Sequence, residues 1–177
     1  MKLSQIQSHQ QVLNQRLKDG TSDTPSMVFE ALGKMYVLET PFNNDSEKYY
    51  LAMAIRKLLS RFQANYYLLC LEVWISGNTN ARPSTASDRK EAMVLTSNNG
   101  DGDSMDVWLI HRDQQGKPYV TEPEKKKHDV GTKGLFVDLL NPKPYRSLKS
   151  SEKRKADKVF NKIMKMLTHC PFHNKVH

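Results

Sequence analysis

The chain has 177 residues, 38% hydrophobic and 26% charged, which is enough for one domain with a core. No run approaches the roughly 18 consecutive apolar residues of a spanning helix, and the first ten residues lack the apolar centre of a signal peptide, so a cytoplasmic protein without a membrane partner is expected. A formal net charge of +8 points to an anionic partner, and the two cysteines, Cys70 and Cys170, are too few for a disulfide framework and suit a reduced compartment.

In chain order, Leu3, Ile6, Leu13 and Leu17 fall near one helical face among glutamines, predicting a polar N-terminal helix or arm over 1–20 that ends at the Gly20–Pro25 stretch. Met27 to Leu38 reads as one or two strands with a bend at Gly33, a helix being the competing reading. Leu51, Ala54, Ile55, Leu58, Leu59 and Phe62 recur at three- and four-residue spacing, so 45–62 is predicted as a helix capped by Asn44 or Asp45. Its charged side, Lys48, Arg56, Lys57 and Arg61, is expected to face solvent.

Three apolar strands follow over 66–75, 88–96 and 105–112. The first two are joined by a polar loop of a length that tends to carry function, and the last two by an Asn-Gly and Asp-Gly turn. Asp101 and Asp103 in that turn lack the further ligands of a calcium loop and are explained by turn chemistry. A turn at 114–117, a short edge strand over 117–121, an exposed charged stretch over 122–128 and a last strand or helical turn over 134–140 come next. After a connector at 141–145, a terminal helix capped by Ser150 or Ser151 runs to about Thr168, its apolar stripe being Ala156, Val159, Phe160, Ile163, Met164 and Leu167. The expected fold is α+β: a largely antiparallel sheet with a central three-strand meander, packed against two or three helices. One domain over 21–168 is expected, with a tail over 169–177.

Four groups of residues carry candidate chemistry. Glu72, Asp88 and Glu91 are possible ligands of Mg or Mn in a nuclease or phosphodiesterase, assisted by Lys90 or His111. Nucleases of the restriction-enzyme type, which a helix and a three-strand meander can resemble, place the acid before the lysine. Here Arg89-Lys90-Glu91 reverses the order and puts the lysine and the glutamate on opposite faces, which favours simple ion pairing. His169, Cys170, His173 and His177 have spacing that can bind Zn, although Pro171 interrupts a helix there. Lys149, Lys153, Arg154, Lys155, Lys158, Lys162 and Lys165, preceded by Lys143 and Arg146, form a basic helix able to follow phosphates without reading sequence. Trp74, Trp108, His111 and Arg112 form an aromatic and polar group in which His111 is a candidate general base.

The arrangement Glu72-Val73-Trp74, a polar loop with Pro83, and Asp88-Arg89-Lys90-Glu91-Ala92 entering an apolar strand resembles small uncharacterised bacterial and bacteriophage proteins over residues 65–96. That resemblance implies a bacterial mobile-element or phage source and no known activity, so it carries over no catalytic residue. The expected function is non-enzymatic binding of a polyanion through the terminal helix, nucleic acid before an acidic protein surface, with the 77–87 loop adding contacts. The alternatives are the metal-dependent nuclease and a homo-oligomeric accessory protein.

Overall fold

In the computed structural model, the residues described are 3–21, 24–39, 42–78, 80, 83–98, 102–121, 123 and 135–169. The side chains of 3–6, 103, 168 and 169 are not among them. The fold is α+β, and the strands follow one another in the order β6-β5-β4-β3-β1-β2-β7: β1 Ser26–Ala31, β2 Lys34–Glu39, β3 Tyr66–Ile75, β4 Lys90–Asn98, β5 Asp103–Arg112, β6 Pro118–Val120 and β7 Thr168–His169. The helices are α1 Leu3–Lys18, α2 Asp45–Phe62, α3 Lys143–Arg146 and α4 Ser150–Met166. The predicted meander is β3, β4 and β5, with β4 beginning two residues later than the sequence pattern placed it. Among the described residues, no helix is long and apolar enough to cross a membrane.

The contacts divide the chain into two compact units. One contains 1–25, 70–95 and 105–127; the other contains 26–69, 96–104 and 128–177. In the first, α1 is the expected polar helix, and its Leu13 and Leu17 are buried. Two of its polar side chains serve β6: Gln10 Nε2 donates to the Val120 carbonyl (3.2 Å), and the Val120 N–H donates to Asn14 Oδ1 (2.8 Å). A three-residue strand that begins with proline has few backbone groups to pair, and α1 satisfies both those of Val120. Cys70, Met93, Leu95 and Trp108 are among the other buried residues of this unit.

In the second unit, β1 and β2 form an antiparallel hairpin in register Ser26↔Glu39 to Ala31↔Lys34, closed by Leu32 and Gly33, both at positive φ (52° and 69°). Such a two-residue turn matches the right-handed twist of the strands. Phe29 stacks on Tyr36 at 5.1 Å, and Phe62 of α2 meets both rings edge-on. The Asn44 side chain caps α2 by accepting from Glu47 N (2.9 Å), and Gln63 at φ 53° ends it. β2 also pairs with β7, through Tyr36↔His169 and Val37↔Thr168, a strand too short for sequence periodicity to show.

Several expectations are corrected. Arg56 is not on a solvent face: it is buried, and its guanidinium donates to the carbonyls of Asp138, Asn141 (3.1 Å), Leu135 (3.4 Å) and Val137 (2.7 Å). The 135–140 segment is accordingly neither strand nor helix but a series of turns wound about that side chain, with Asp138 at φ 52°. The connector contains the short helix α3. Neither serine caps α4; Lys149 is the N-cap residue, and Glu152 accepts from its backbone N–H (3.1 Å). One arm of a capping box thus suffices here.

Candidate functional site

α4 is held against α2 by its apolar stripe, in which Ala156, Phe160 and Ile163 are buried. A polar staple fixes the same contact. Lys57 Nζ donates to Asp157 Oδ1 (2.8 Å), Tyr145 Oη donates to the same oxygen (2.6 Å), and the Lys57 ammonium lies 4.5 Å from the Phe160 ring centroid and 5.4 Å from that of Tyr145. Burial works to raise the Asp157 pKa, but the two donors outweigh it and hold the carboxyl below its ordinary value. For Lys57, burial works downward, and the hydrogen bonds to Asp157 and Tyr145 carry its pKa upward.

The staple sorts the cations of α4. Lys153 turns inward, its ammonium 5.3 Å from the Tyr145 ring, and Lys155 lies 5.5 Å from the Tyr50 ring. Lys149 caps the helix through its backbone N–H, and its side chain is exposed. Arg154, Lys158, Lys162 and Lys165 are exposed, and among the described residues none of them has an ion-pair partner. At 3.6 residues per turn, these four fall within one quadrant of the helix, spaced by about 6 Å between successive four-residue steps. Lys162 also edges a cavity of about 260 Å3 lined by Phe42, Glu47, Leu51, Val159 and Met166. Lys143 and Arg146 are exposed at the approach to the helix.

In the other unit, Trp74, Arg89, Lys90, Glu91, His111 and Arg112, with Leu109 and Ile110, line a shallow open groove of about 400 Å3. Strand alternation places Arg89 and Glu91 on one face, and the contacts show what shares it. The Arg89 guanidinium lies 4.9 Å from the Trp74 ring centroid, and Arg112 pairs with Glu91 at 2.6 Å. Arg89 is steadied by donating to the Ser84 carbonyl (2.7 Å). Asp88 closes the base of the 76–88 loop by accepting from Ser76 Oγ (2.5 Å) and Gly77 N (2.9 Å), and the serine bond first among these holds its pKa low. His111 packs its ring on Tyr119 at 5.6 Å, with Thr121 Oγ1 3.5 Å from Nε2.

The structure therefore gathers Lys90, Glu91 and His111 at one groove, while Glu72 and Asp88 are not among its lining residues. Asp88 is engaged by its own loop and Glu91 by Arg112, and among the described residues no three His, Cys, Asp or Glu side chains stand close enough to hold a metal ion. Trp108 lies in the core, apart in character from the half-exposed Trp74. The Cys70 thiol is buried and pushed up to about 11, first by desolvation, which removes it from thiolate chemistry. Cys170, His173 and His177 lie outside the described residues, as does the side chain of His169. Two features escaped sequence reading, the Arg89–Trp74 stack and the Lys57–Asp157–Tyr145 staple, although the placement of Arg89 on a strand face was the available signal for the first. Comparison of the chain with protein families, with curated proteins and with solved structures finds no match.

Proposed function

We propose that the chain is a polyanion-binding protein that takes nucleic acid on the outer face of α4. The observation that carries this reading is the row Arg154, Lys158, Lys162 and Lys165: exposed, on one side of a helix, and without ion pairs among the described residues. Lys153 and Lys155 near them lie against aromatic rings, whereas, among the described residues, the four of the row do not. From Arg154 to Lys165 the helix rises roughly 16 Å. Regular cations over that distance suit a phosphate chain better than the irregular carboxylates of an acidic protein. No Asn, Gln or Arg series accompanies the row, so the contact is with backbone phosphates and is blind to sequence. Binding is favoured over metal-dependent cleavage because Asp88 and Glu91 are each already engaged.

The test is anisotropy of a labelled 20-nucleotide strand titrated at several salt concentrations. Affinity should fall steeply with salt, and replacing Arg154, Lys158, Lys162 and Lys165 together by Gln should flatten the log–log slope by roughly 3. Absence of binding at low salt overturns the reading. Equal affinity for polyglutamate replaces nucleic acid by an acidic protein surface.

A further inference from the structure

The groove at the end of β3 and β4 combines features that α4 lacks. Trp74 is 40% exposed, and its indole is partly covered by the Arg89 guanidinium. That guanidinium is held in place from behind by the Ser84 carbonyl, and the loop bearing Ser84 is closed by Asp88 on Ser76 and Gly77. The Arg89–Trp74 contact is thus present without a ligand, which lowers the cost of adding a base to it. Among the lining residues, Arg89, Lys90 and Arg112 outnumber the single carboxylate, Glu91, so the groove is positive as well as aromatic. The Glu91–Arg112 pair is itself half open: the Arg112 side chain is 54% exposed, leaving guanidinium donors for a phosphate.

We infer that this groove is a stacking site for one unpaired base of a single-stranded nucleic acid, the base lying on the Trp74–Arg89 pair and the adjoining phosphate on Arg112. A flat π surface beside planar cations recognises any base by its face and its neighbouring charge, and needs no hydrogen-bond code. A duplex keeps its bases stacked on each other and offers none to a shallow groove. The inference takes its ligand class from the reading of α4, but it uses residues of the other unit and can fail separately.

The two tryptophans make the test direct, because Trp108 is 0% exposed and a bound base reaches only Trp74. Intrinsic fluorescence of the full chain is followed while a 12-nucleotide oligo-dT, a 12-base-pair duplex or heparin is added, with binding monitored independently by anisotropy. Oligo-dT should quench saturably, and duplex and heparin should bind with little quenching. Trp74→Ala should remove the quenching and weaken oligo-dT binding roughly 5- to 100-fold without changing heparin binding, and Trp74→Phe should retain most of the affinity. The fourfold Gln variant of α4 should reach the same quenching at saturation. Oligo-dT binding without quenching, or with affinity unchanged in Trp74→Ala, overturns the stacking site and leaves the α4 reading standing. Quenching that persists in a protein with no α4-dependent salt slope does the reverse. Equal quenching by heparin overturns the site too, since heparin has no bases, and failure of all three ligands to bind overturns both.

Discussion

Arg56 shows how a single residue organises a segment 80 positions away in the chain. A helix-borne guanidinium has five donors in a fixed fork, and in this fold four backbone carbonyls between Leu135 and Asn141 converge on it. Those carbonyls belong to no ladder, so removing the fork takes a donor from several part-buried acceptors together. Arg56→Ala should therefore lower the urea midpoint by an amount equivalent to about 3 kcal/mol, with Arg56→Lys intermediate; a loss under 1 kcal/mol would show that the turns do not depend on it. Asp157 supplies a second test at this scale. Its carboxyl is held below the ordinary 3.8, so its share of stability is complete above that pH and is lost as the pH falls through and below it. The raised Lys57 works oppositely: its share is present below the ordinary 10.5 and is lost as the pH climbs past its raised value. Lys57 and Asp157 are 27% and 37% exposed, so solvent screens the pair, and Asp157→Asn should cost about 1 kcal/mol or less at neutral pH. The variant should also lose less stability than the natural chain between pH 5 and pH 2. Parallel acid profiles would show that the staple carries no linked proton.

At the scale of elements, the β1–β2 hairpin contains a residue chosen against its backbone. Leu32 sits at φ 52° with 75% of its surface exposed, so it bears the left-handed penalty and gains little burial in return. Leu32→Asn should stabilise by about 1 kcal/mol, seen as a rise in thermal midpoint; a fall would mean that the exposed leucine is covered by something in the native context. The same elements mark how far the sequence could be read. Helices α2 and α4, the β1–β2 bend at Gly33, the meander and the edge strand β6 were legible because hydrophobic period and turn residues report burial directly. Arg56 was not, since its partners are carbonyls, which no sequence letter encodes. The cap of α4 was misread because serine is the commoner cap, whereas here the Glu152 carboxylate reaches back to Lys149 N. At the site, alternation put Arg89 and Glu91 on a common face. It could not say that Arg89 would meet Trp74 or that Glu91 would meet Arg112, because those contacts depend on how neighbouring strands are paired.

For the whole molecule, salt should act in opposite directions on the free and the ligand-bound protein. A net charge of +8 on 177 residues sets the folded chain against itself, and screening relieves that repulsion because the unfolded chain holds the same charges farther apart. The free protein should therefore gain thermal stability as salt rises from 20 to 300 mM, by roughly a few degrees, since 1 kcal/mol moves the midpoint of a domain this size by about 2–4 °C. A polyanion that binds only the folded chain adds RT ln(1 + [L]/Kd), a term that salt removes by weakening Kd. Midpoints measured with and without the 20-nucleotide strand should accordingly lie far apart at low salt and meet at high salt, the free curve rising and the bound curve falling. The fourfold Gln variant of α4 lowers the net charge and removes the contact at once, so its free curve should start higher and its ligand shift should be smaller at every salt concentration. If the variant's ligand shift equals that of the natural chain, the phosphate contact lies elsewhere on the protein, whatever the free curves do.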